Sequence, residues 1–151
     1  MKKTSLMSVK DGHVGTLVCA VLRGIVAAGF LLGGGGARAE LPSASAETIR
    51  QALRSGHPTV IDVGARTCIP CRKMAPILEA LAVTYRGQAS VLFVDLHTDE
   101  ATANTLRVQM IPTQIFFDAQ GREVNRHIGF MDEQAILAQL KNLGVAAQTV
   151  E

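Results

Sequence analysis

The sequence predicts an α/β domain, a central mixed sheet with helices on both faces, and three observations carry that prediction. Continuous apolar runs of strand length at 59–63 and 91–96 alternate with segments whose apolar residues recur every three or four positions. Two further strand-like runs, 113–117 and 123–128, flank Asp118-Ala119-Gln120-Gly121, a hairpin turn by length and residue type. Beyond the glycines at 33–36 there is no repeat or low-complexity tract, so one domain over 46–144 is the simplest account.

Each element has its own local reason. Ser45 is placed to cap a helix over 46–55, with Ile49 and Leu53 on one face and Gly56 as its stop. The run 59–63 is apolar except for Thr59 and Asp62 and reads as a buried strand. In 68–85, Met74, Ile77, Leu78, Leu81 and Tyr85 keep helical spacing, and Gly87 ends the helix. Pro76 removes one backbone donor inside it and predicts a kink. The run 91–96, broken only by Asp95, suits a central strand buried on both faces. A short helix is expected over 100–107. Asp132 caps a last helix whose stripe is Ile136, Leu137, Leu140 and Leu143, closed by Gly144, with 145–151 as a tail.

The N-terminal segment stands apart in composition. Of the 15 Lys and Arg in the 151 residues, Lys2, Lys3, Lys10, Arg23 and Arg38 precede residue 40, against one acid, Asp11. The remainder then carries ten bases and twelve acids, near −2, without the concentrated basic face that nucleic-acid binding requires. Lys2, Lys3 and Lys10 form a basic n-region, 24–32 is apolar, and Ala37-Arg38-Ala39 offers a signal-peptidase site. Residues 1–39 therefore read as a secretory signal cut after Ala39, with an uncleaved anchor as the alternative, and 40–45 as a linker. Arg23 and the glycine run count against a stable membrane span. Cys19 falls inside the segment as an incidental small residue, which leaves Cys68 and Cys71 as the cysteines of the mature chain.

Cys68-Ile69-Pro70-Cys71 carries the chemistry. Two thiols at this spacing can close a small disulfide or share a metal, and their surroundings favour redox. Cys68 falls at a predicted helix N-terminus, where unpaired N–H groups and the helix dipole stabilise the nucleophilic thiolate, with Arg66, Arg72 and Lys73 nearby. Cys71, one turn on, can attack whatever Cys68 has captured. Four soft ligands for a structural zinc are missing.

Asp62 six residues before Cys68, the Cys-X-Pro-Cys, Pro76 five residues after Cys71, and Ile111-Pro112-Thr113 opening a later strand stand together in one register. Over about 59–143 the chain resembles the thioredoxin family of thiol–disulfide oxidoreductases. The resemblance implies a thioredoxin-like fold, Cys68 as attacking thiolate, Cys71 as resolving thiol, and Asp62 exchanging protons with Cys71. It also implies a cis peptide bond before Pro112 opposite the cysteines, with Ile111 offering main-chain groups to an extended substrate; Gly129 and Phe130 are expected nearby. No cofactor is implied. Three departures stand out: Thr67 where the family carries tryptophan beside the substrate, Gly64 for a second aromatic, and Phe93 where a lysine would neighbour Asp62. Without that cation, Asp62 is expected to hold its proton to a higher pH.

The function expected is an exported, periplasmic reductase of protein disulfides, soluble or N-terminally anchored. Ile69-Pro70 is closer to the Gly-Pro of reducing family members than to the Pro-His of strong oxidants. Outside the cytoplasm a reductase needs electrons from a membrane thiol carrier, the implied upstream partner. Two alternatives stay open: an oxidant or isomerase of the same fold, and a Cu(I)-binding chaperone that uses the cysteine pair, with His57, His97, His127, Met74, Met110 and Met131 as further soft donors.

Overall fold

The structure is a computed structural model and describes residues 40–146; the expected signal segment with Cys19, and the tail beyond residue 146, lie outside the described residues. Among the described residues no helix is long and apolar enough to cross a membrane. The elements run α1 (Ala46–Leu53), β1 (Thr59–Gly64), α2 (Ile69–Thr84), β2 (Ser90–Asp95), α3 (Glu100–Thr105), β3 (Thr113–Phe117), β4 (Glu123–Ile128) and α4 (Glu133–Asn142). The caps expected at Ser45 and Asp132 are formed: Ser45 Oγ accepts from Thr48 N at 3.2 Å and Asp132 Oδ1 from Ala135 N at 2.8 Å.

The sheet has the order β2-β1-β3-β4, with β1 parallel to β2 and antiparallel to β3, and β3 antiparallel to β4. Every residue of β1 and β3 is buried, because helices cover both faces. On one face Met74, Leu78 and Leu81 of α2 and Ile136 and Leu140 of α4 pack against Val60, Val91 and Phe116. On the other, Ile49 of α1 and Ala103 of α3 pack against Ile61, Val63, Val94 and Ile115. The alternation of β1 thus divides its side chains between two cores.

Three expectations change. Val145, read as the first residue of a tail, is buried in the core against α4, its N–H donating to Leu140 O at 3.0 Å. The strand read as central from its apolar run, β2, lies at the sheet edge; it is apolar because both of its faces are covered, which continuous hydrophobicity reports and lateral position does not. The stretch 40–45 read as a linker is docked on that edge. Ser43 bridges Phe93 in parallel, Ala44 N donates to Phe93 O at 2.7 Å, and Asp95 N donates to Ser43 Oγ at 2.9 Å. These bonds occupy groups that an open edge would leave available for another chain.

The register sets where the site falls. Val63 pairs with Thr113, Gly64 with Asp95, and Thr113 with Ile128, so the loops after β1 and β2, the loop before β3 and the loop after β4 all leave from one end of the sheet.

Candidate active site

Gly64 ends β1, and a short loop delivers the chain to α2, whose N-cap is Cys68. Cys68 Sγ lies 3.4 Å from the backbone N of Cys71, and the two sulfurs are joined in a disulfide with Cα atoms 5.3 Å apart. Cys71 is buried and Cys68 half-buried. This asymmetry leaves the first sulfur open to a partner and shields the second. The first turn of α2 contains no acid to offset the dipole or the charges of Arg72 and Lys73. Arg66, expected to act beside them, is engaged elsewhere: it pairs with Glu40, donates to Leu41 O at 2.9 Å, approaches Asp95 at 3.6 Å, and lies 5.2 Å over the Phe93 ring.

Asp62 sits on β1 beneath this turn, 1% exposed. Its neighbours across the sheet are Phe93 on β2 and Gln114 on β3, which face α2 with it. Burial pushes its carboxyl up to about 6, opposed by the hydrogen bond that Gln114 Nε2 donates to Asp62 Oδ1 at 2.8 Å. The direction expected from Phe93 in place of a lysine is present, and desolvation is its main cause. Asp62 and Cys71 line one cavity of about 20 Å³, together with Glu40, Leu41, Ala65, Arg66, Phe93 and neighbours on α2. That volume admits about one water.

Gly64 is tightly enclosed by this arrangement. A Cβ there would stand 3.1 Å from Cys71 Sγ and 3.2 Å from Phe93 Cε2, so the missing side chain is the space that the sulfur and the ring share.

The peptide bond Ile111–Pro112 is cis, as the resemblance implied, and Gly129 N donates to Pro112 O at 2.8 Å, which brings the Gly129-Phe130 turn beside it. Ile69, Met110 and Phe130 are exposed large apolar residues, at the first turn of α2, just before Ile111, and just after Gly129. Thr67 is exposed, with Oγ1 3.4 Å from His97 Nε2. Among the described residues no cluster of three or more His, Cys, Asp or Glu is arranged to hold a metal ion.

The residue that sequence reasoning missed is Gln114. Its signal was available, a polar residue in an apolar strand, as for Asp62, but only the register shows that the two face each other.

A sequence model of the family described as Thioredoxin matches residues 41–142, about two thirds of the chain. The chain belongs to the thioredoxin family. It is 32% identical over 94 residues to a thioredoxin of Alicyclobacillus acidocaldarius, covering 62% of this chain and 89% of that one. It is 37% identical over 75 residues to Staphylococcus aureus thioredoxin, covering 50% of this chain and 71% of that protein. A bifunctional thioredoxin reductase/thioredoxin of Mycobacterium leprae is 35% identical over 91 residues, which span 60% of this chain and 20% of that protein. Among solved structures, a mutant thioredoxin from Halobacterium salinarum superposes with a TM-score of 0.62 at 23% identity, covering 74% of this chain and 96% of that one, a likeness of fold. Chloroplastic thioredoxin z gives 0.61 at 25% identity, with 72% and 97% covered. With a thioredoxin fold and a cysteine pair joined at the N-terminus of α2, the protein is a thiol–disulfide oxidoreductase.

Proposed function

We propose that this oxidoreductase works outside the cytoplasm as a reductase of protein disulfides. The observation that carries the reading is a half-exposed Cys68 at the N-terminus of α2, joined to a buried Cys71 that shares a cavity with buried Asp62. In the dithiol form, Cys68 thiolate attacks one sulfur of a substrate disulfide, forming a mixed disulfide and expelling the other substrate sulfur as thiolate. Cys71 passes its proton to Asp62 and attacks Cys68 Sγ; the Cys68–Cys71 bond forms, and the second substrate sulfur leaves. The substrate gains two electrons and the cysteine pair loses two.

Ile111 offers main-chain groups to an extended segment of the substrate, Pro112 withholds an N–H that would compete, and Thr67 borders the approach. The apolar side chains of Ile69, Met110 and Phe130 at this end of the sheet suit a polypeptide substrate. Export rests on residues 1–39 read as a signal, cleaved after Ala39 or kept as an anchor. In that compartment a membrane thiol carrier reduces the Cys68–Cys71 disulfide after each turnover.

The reduction potential of the couple, equilibrated against defined thiol–disulfide buffers, tests the direction of transfer. We expect a value near about −270 mV; a value near about −120 mV would make the protein an oxidant.

A further inference from the structure

Phe93, Asp62, Gln114 and His127 form a row of paired neighbours across the four strands, and only the middle two meet through side-chain polar atoms. Gln114 is fully buried. Its Nε2 donates to Asp62 Oδ1 at 2.8 Å and lies 3.2 Å from Met74 Sδ, while its Oε1 has no partner. A buried amide with an unmatched oxygen carries a desolvation cost that leucine or methionine would not have in the same space. The bond to Asp62 is what the amide provides in return. It engages Oδ1 from the β3 side, and Gln114 is not among the residues lining the cavity that Asp62 shares with Cys71. Among the described residues Oδ2 receives no side-chain hydrogen bond, and Asp62 lines that cavity.

We propose that Gln114 is a positioning residue for proton exchange between Asp62 and Cys71: its amide fixes one carboxylate oxygen, aims the other at the cavity, and stabilises the charged form where the β2 neighbour is an apolar ring. The proposal rests on the role given to Asp62 above. The other groups around the carboxyl are Phe93 from β2, Cys71, Arg72 and Met74 from α2, and Arg66 and Glu40 at the cavity wall. Arg66 and Glu40 pair with each other, and among the described residues Gln114 is the side chain that donates to the carboxylate.

The near-isosteric Gln114→Met tests this in the full chain, with Gln114→Leu as a second variant should methionine pack poorly. Followed by carbon-13 NMR of the Asp62 carboxyl, the midpoint, about 6 in the parent, is expected to rise by about one unit. The pH profile of disulfide reduction should move up with it, lowering the rate at pH 6 by roughly several-fold. In an Asp62→Asn background Gln114→Met should shift nothing. A folded Gln114 variant with an unchanged Asp62 midpoint overturns the proposal, and so does a profile shift that persists in the Asp62→Asn background. Should Asp62→Asn alone leave the profile unchanged, the role of Asp62 is wrong and the proposal falls with it, even if the carboxyl midpoint still moves on Gln114→Met.

Discussion

At Asp62 the fold holds a carboxyl group where ionisation is costly, and that cost is measurable as stability. Its ordinary value is 3.8 and its folded value about 6, so between those limits the folded chain keeps a proton that the unfolded chain has released. Stability from this group is therefore fully present below about pH 4 and declines as pH rises toward 6; above that the charged group costs roughly 2–3 kcal/mol. Asp62→Asn is expected to stabilise the protein by about that amount at pH 7.5 and by little at pH 4, measured by urea unfolding at both. An equal gain at both pH values would show that the carboxyl is not the cause. Asp62 was legible because one acid in an unbroken apolar run has few explanations other than burial. Gln114 gave the same kind of signal but an ambiguous one, since glutamine next to Thr113 at the start of a strand reads equally well as a solvent-facing residue until that face is known to be covered. Arg66 was misjudged for a similar reason: sequence proximity to Cys68 puts its charge near the thiol, whereas Glu40, Leu41 and Phe93 draw the side chain to the cavity wall.

Element identity was legible wherever local signals agreed. β3 and β4 fall where their runs and the intervening turn put them, and α1 and α4 begin after the residues expected to cap them. The pairing of β3 with β4 followed from the turn between them, but the edge position of β2 did not, because an edge strand covered on both faces has the composition of a central one. The hairpin turn shows how an element-level contact decides a residue. Gly121 has φ +73°, and a Cβ there would lie 2.5 Å from the carbonyl oxygen of Leu53 at the end of α1. Gly87 after α2 has φ +82° but open space around it. Alanine at Gly87 should then cost only the left-handed backbone penalty, about 1 kcal/mol. Gly121→Ala adds a backbone clash that no side-chain rotation relieves, and a loss of more than about 2 kcal/mol is expected. Thermal melts of the two variants side by side check this; equal losses would mean that the turn moves freely away from α1.

Over the whole molecule, the segment before α1 connects the sheet edge to the chemistry. Ser43 and Ala44 cover the edge of β2, Leu41 packs against the core beneath α2, and Glu40 with Leu41 O holds Arg66 over Phe93 at the wall of the Asp62 cavity. A chain beginning at Ser45 keeps the cap of α1 and loses all of these. Three hydrogen bonds at about 1 kcal/mol each predict a stability loss of roughly 3 kcal/mol against a chain beginning at Glu40. The more informative consequence is electrostatic. Desolvation is the main cause of the raised Asp62 value, and removing the wall lets water reach the carboxylate, so its titration should fall from about 6 toward 3.8. The pH midpoint of disulfide reduction should fall with it. If the shorter chain loses stability while Asp62 titrates as before, the segment is an edge cover alone, and the low dielectric around Asp62 comes from Phe93 and α2. A fall in both would make residues 40–44 part of the device that sets when Cys71 can release its proton.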